Sequence, residues 1–249
     1  MELKDFASIF ISALAFILSA IATVVSTVRG KYEAQRAIRN QLSDTLSRIA
    51  STNIENAKLY HEMAAKDPAY YQQVSGMMNQ QQASLLNQAM YLADQVARFV
   101  TAVDMNTIAL ANYSAGDVIL AEKYYRKAIE VSANNYYRSL ATRSYAGFLF
   151  TQRRFEEGRA QFRQSISLIS GGDNLTRYTN GFTYQMWAWN ELNNAGARLA
   201  AEQLFESAQN EFKGMDNESV RKTSIDALNE ALPSLAHKGP TAGPPAAQP

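Results

Sequence analysis

The side chains that usually carry chemistry are sparse in this chain. Its two histidines, His61 and His237, lie far apart, and neither has a nucleophile, a carboxylate or a second metal ligand at a useful spacing. Cysteine is absent, which excludes disulfides, thiolate metal sites and a thiol nucleophile. Gly171-Gly172-Asp173 has neither the length nor the lysine of a phosphate-binding loop and reads as an interhelical connection. Arg153, Arg154, Arg159 and Arg163 form the densest basic cluster, but Glu156 and Glu157 are interleaved, as on a solvated helical face. Lys plus Arg number 24 and Asp plus Glu 23, so a net charge of +1 supplies no field for nucleic acid. These residues predict no enzyme, no metal, no cofactor and no nucleic-acid partner.

A different pattern recurs instead. Ala121–Tyr125–Ala128, Gly158–Phe162–Ser165 and Ala201–Phe205–Ala208 each place an aromatic four residues after a small residue and a second small residue three further on. The first two lie 37 residues apart and the next 43, the signature of one supersecondary unit stacked on itself. The spacing predicts an all-α chain. Small residues let two helices cross closely, and the aromatic fills the gap between neighbouring units.

With Ala109 and Gly116 added, the first of these segments resembles a tetratricopeptide repeat, a helix–turn–helix unit. The second supplies Ala146, Phe155, Gly158, Phe162 and Ser165, and the third Trp189, Gly196, Ala201, Phe205 and Ala208. Arg153 stands where a turn glycine is expected, Trp189 occupies a position for a small residue, and the terminal proline is missing throughout. The repeats are expected over 102–135, 139–172 and 182–213, with Ser170–Phe182 as an inserted loop. The resemblance implies a concave groove lined by first helices that takes an extended peptide or a helix. Carried over position by position, its residues are Asn106, Leu110 and Tyr113, then Arg143, Gly147 and Phe150, then Met186, Trp187, Asn190 and Asn193. Tyr113 and Phe150 suit inter-repeat packing equally well. The Lys/Arg/Asn clamp of chaperone-binding relatives is not reproduced.

Four segments flank the array. Phe6 to Val28 is 23 residues without a charge. As a helix it is about 34 Å long, enough to span a hydrocarbon layer of ~30 Å, which predicts a single-pass anchor over 1–30. A signal peptide cleaved after Ala22, giving an exported protein, is the competing reading. Arg29, Lys31, Arg36 and Arg39 follow the run and only Lys4 precedes it, so the carboxy-terminal domain is expected in the cytoplasm, at an inner or plasma membrane. Ser8, Ser12, Ala15, Ser19, Ala22 and Ser26 form a small-residue stripe suited to pairing the span with another, including that of a second copy.

Residues 31–101 read as a juxtamembrane helical hairpin. Ile38, Leu42, Leu46 and Ile49 mark one helix, and Val74, Met77, Leu85, Leu86, Leu92, Val96, Phe99 and Val100 a second running to about Val103. Asp67-Pro68 restarts the chain between them, and the loose heptad spacing also permits a short coiled coil. A capping helix is expected over 214–236, started by Asn217, and a disordered Pro-rich tail over 237–249. Two functions follow: a membrane-anchored adaptor that binds a protein partner along its repeats, or an accessory subunit that meets a membrane complex through its span and hairpin.

Overall fold

The computed structural model describes residues 3–231, and the side chains of 3–24 and of 231 lie outside its described part. All regular structure among the described residues is helical, with no strand among them. They divide into two compact units, with the boundary between Val100 and Thr101.

In the first unit α1 (Leu3–Met63) and α2 (Pro68–Gln95) form an antiparallel hairpin. Asp67 starts α2: its carboxylate accepts from the Tyr70 amide at 3.0 Å, and Pro68 fills the first turn, where its missing N–H costs nothing. Leu42, Leu46 and Ile49 are buried against Leu85, Leu86, Ala89, Leu92, Ala93 and Val96. The α2 seam runs through Ser75, Gln82, Ala89 and Val96, a heptad spacing that carries Met77 to the outside, where it is 65% exposed. Polar groups interrupt the seam, with Gln82 Nε2 donating to Asn53 Oδ1 at 2.9 Å. The heptads therefore serve an intramolecular pair. α2 stops at Gln95, short of Val103. A single 3₁₀ turn over Ala97–Phe99 follows, and Thr101 and Asp104 then cap the next helix reciprocally.

Among the described residues no helix is long and apolar enough to cross a membrane. Most of the uncharged run at 6–28 lies outside the described side chains, as do Ser8, Ser12, Ala15, Ser19 and Ala22 of the small-residue stripe. Ser26 alone is described, and it is exposed.

The second unit stacks three helical hairpins: α3 (Ala102–Ser114) with α4 (Val118–Glu130), α5 (Asn135–Thr151) with α6 (Phe155–Ser167), and α7 (Asn174–Asn190) with α8 (Arg198–Lys213). α9 (Glu218–Ala231) packs on α8 and buries Leu228. It is started by Asn217, whose side chain accepts from the Val220 amide. Ala109, Ala121, Ala128, Ala146, Ser165, Ala201 and Ala208 are all buried at helix crossings, where a larger side chain would force the backbones apart.

Two boundaries differ from the sequence expectation. Asn134 caps α5 through the Tyr137 amide, so that helix begins before residue 139. Asp173 Oδ1 accepts from the Leu175 and Thr176 amides, so most of the expected inserted loop Ser170–Phe182 is the opening of α7. The third register is also corrected. Ala188, not Trp189, is the small residue at the crossing, with Ala109 and Ala146 as its counterparts. Ser139 and Gly181, each seven residues earlier in its helix, agree with this alignment, since both are buried. A π turn over Glu191–Ala195 absorbs the extra residue before Gly196 ends the helix.

Candidate functional site

The first helices α3, α5 and α7 touch one another in sequence, α3 with α5 and α5 with α7, and so build one continuous face of the second unit. Leu110 stands on it 51% exposed, Asn193 is exposed, and Asn106, Arg143, Gly147, Met186 and Asn190 are half-buried. Gly147 and Asn190 are brought together, the Asn190 Nδ2 lying 3.8 Å from where a Gly147 Cβ would be.

Four expected groove residues belong elsewhere, Met186 among them, since it packs against the buried cluster of Ala146, Phe150 and Phe162. Phe150 is fully buried between Phe155 and Phe162, because Gly158 leaves room for its ring against α6. Trp187 stacks on Phe162 at 5.6 Å with planes 7° apart, and its indole N–H donates to Glu191 at 2.9 Å. Its ring is therefore part of the α6–α7 junction. Tyr113 lies edge-on to Phe148 at 5.8 Å and joins the first hairpin to the second. Trp189, relieved of the crossing, meets Phe205 edge-on.

Polar staples, which sequence reasoning missed, hold the hairpins in register. At the first junction Glu122 accepts from Tyr145 Oη at 2.6 Å, Arg154 Nη1 at 2.7 Å and Arg126 Nη2 at 2.7 Å. Burial opposes ionisation of Glu122, but these three donors outweigh it and hold the carboxyl down at about 2. Burial and the bond to Glu122 push the Tyr145 hydroxyl up to about 12. At the second junction Arg159 grips Glu191 with two parallel bonds of 2.7 Å. Glu191 is 1% exposed, and burial works against its charge; Arg159 and Trp187 prevail and keep its carboxyl below the usual range. The sequence signal was the interleaving of Arg154, Glu156, Glu157 and Arg159, which reads as a solvated face until the partner across the junction is known.

One further set of polar atoms stays unpaired. In the second unit, the buried side-chain atoms without a hydrogen-bond partner among the described residues are Asn106 Oδ1, Arg143 Nε and Asn180 Oδ1. There is one on each first helix and none on a second helix. Arg143 Nη1 reaches Thr183 Oγ1 at only 3.5 Å, and its guanidinium carbon sits 4.8 Å from the Phe182 ring centre. Burial draws the pKa of Arg143 down, opposed by the nearby Tyr136 and Tyr178.

No group of three or more metal-ligating side chains is found among the described residues. Compared with known proteins, the chain matches no family model, no curated sequence and no solved structure.

Proposed function

We propose that this chain is a membrane-anchored adaptor that binds a protein partner along the face of α3, α5 and α7. The observation that carries this reading is that the unpaired buried polar atoms described in the second unit, Asn106 Oδ1, Arg143 Nε and Asn180 Oδ1, all belong to those three helices. Buried polar groups in folded domains are nearly always paired, so a set left open on one class of helix favours an incoming polar chain. The resemblance of the hairpins to tetratricopeptide repeats supports the same face. The uncharged run at 6–28 serves as the single-span anchor, and the Lys and Arg that follow it favour a cytoplasmic array at an inner or plasma membrane. Its small-residue stripe suits a second copy of the span.

A second reading makes the chain an accessory subunit that docks through its span and hairpin. It is favoured by a shallow depression on the hairpin where Val74, Met77, Met78 and Leu85 meet Arg48 and a run of glutamines. Affinity purification in mild detergent, from the full chain and from residues 101–249, separates the two. Partners that stay with the shorter chain support the adaptor. Partners held only by the full chain support the accessory subunit.

A further inference from the structure

We propose that Arg143 is the subsite for an aspartate or glutamate side chain of an extended peptide crossing the first-helix face. The proposal rests on the adaptor reading and names the chemistry of its partner.

Among the described residues Arg143 meets no carboxylate, whereas the neighbouring Arg154 and Arg159 hold two glutamates each. Its contacts are a ring face and one long bond to a hydroxyl that already donates to Thr179. A guanidinium is a planar fork made for bidentate carboxylate binding, and leaving one part-buried with its Nε–H unpaired is costly. A carboxylate meeting the terminal guanidinium nitrogens would supply the counter-charge that the fold withholds. Among the described residues Arg143 has no second cation as a contact, so one negative charge fits better than a phosphate.

Gly147 adds an independent observation. It lies one turn after Arg143 on the same face of α5, inside a helix, where glycine is the poorest choice after proline. Packing does not require it: a Cβ there would meet only Asn190 Nδ2, at an ordinary 3.8 Å. The bare backbone is what a passing peptide main chain needs, with the Asn190 side chain beside it. α5 is the middle of the three first helices. A chain crossing it continues over Asn106 and Leu110 on one side and Asn190 on the other, so it presents a side-chain carboxylate there and not its own terminus.

The test is selection of random dodecapeptides displayed on phage, with sequence continuing on both sides, against the full chain in mild detergent. Selected peptides should be enriched in Asp or Glu at one position, and the enrichment should vanish against Arg143→Gln at unchanged helicity. In a selected peptide, resynthesised with an amidated end, changing that acid to its amide should weaken binding to the wild-type chain about tenfold or more. This second arm requires no protein variant. Peptides selected without an acid, or bound equally well as the amide, overturn the Arg143 proposal and leave the adaptor reading standing. Acid enrichment that survives Arg143→Gln also overturns it. Recovery of no peptide at all overturns both.

Discussion

Glu122 and Arg159 occupy the same place in successive hairpins, directly after the small residue at the helix crossing, and carry opposite charges. Each reaches across to the next hairpin. Glu122 accepts from Tyr145, and Arg159 binds Glu191 beneath Trp187, with Tyr145 and Trp187 at matching positions. The junctions are thus the same joint built with reversed polarity. A slip that set one hairpin against the wrong neighbour would bring like charges together or leave Glu191 unpaired. The staples therefore specify order along the array as well as holding it.

Removing one partner of the inner staple should cost far more than removing both. Arg159→Ala leaves the carboxylate of Glu191 buried with only the indole N–H to serve it, a situation worth about 3–5 kcal/mol. Leu149, buried at the matching place of the preceding hairpin, shows that the position accepts leucine. Arg159→Ala combined with Glu191→Leu should recover most of the loss. Urea denaturation of the two variants checks this, and a double variant no more stable than the single one would contradict it.

Acid and alkali should loosen the first junction from opposite ends. Glu122 is held at about 2 in the fold against an ordinary 4.5, so its contribution is complete above pH 4.5 and disappears as pH falls towards 2. Glu191 is shifted in the same direction and adds to the acid loss. The Tyr145 hydroxyl is raised to about 12 from an ordinary 10.0, so its contribution is present below pH 10 and lost as pH rises towards 12. Melting temperatures from pH 2 to 12 should fall at both ends, and Glu122→Gln should flatten both falls. A variant that tracks the wild type at every pH would refute the assignment.

Arg153 is the described non-glycine residue with a positive φ, 59°, in the turn between α5 and α6. The matching turns use Gly116 at φ 85° and Gly196 at φ 67°. A side chain in this region costs about 1–2 kcal/mol, partly offset because glycine gains more freedom on unfolding. Arg153→Gly should therefore stabilise the domain by about 0.5–1 kcal/mol, readable as a higher melting temperature. A lower one would mean that the arginine side chain makes a compensating contact.

The hairpins were legible because their requirements are local. A crossing needs small residues and a gap needs an aromatic, and both recur at fixed spacing: Ala121, Tyr125 and Ala128 are buried, as are their counterparts in the next two hairpins. The third register was misread because a π turn is invisible to spacing. The count of 43 residues pointed to Trp189, whereas the inserted residue in Glu191–Ala195 makes Ala188 the crossing residue. The opening of α7 was misread because Gly171-Gly172 looks like a loop, although Asp173 is a good helix cap. The face itself was half legible. The resemblance to a repeat placed Asn106, Arg143 and Asn190 on the first helices, but it could not show that Phe150 and Trp187 point inward. That depends on which second-helix residue, Gly158 or Phe162, makes room or lies opposite.

Two glycines eleven residues apart should respond to alanine with opposite signs. At Gly158 a Cβ would stand 2.5 Å from Phe150 Cδ2 and 3.2 Å from the Ala146 carbonyl, and the fully buried ring has nowhere to go. Gly158→Ala should destabilise by ~1–3 kcal/mol through overpacking. At Gly147 the added methyl meets nothing closer than 3.8 Å, and replacing glycine inside a helix recovers about 0.5–1 kcal/mol. Gly147→Ala should therefore raise the melting temperature. It should at the same time weaken capture of a peptide whose backbone runs against α5, and Gly147→Leu should abolish capture while the domain stays folded. A face that serves only packing would gain stability from Gly147→Ala and lose nothing. Thermal unfolding and peptide affinity measured on the same preparations decide between them: higher stability with unchanged affinity for both variants would remove Gly147 from the binding site.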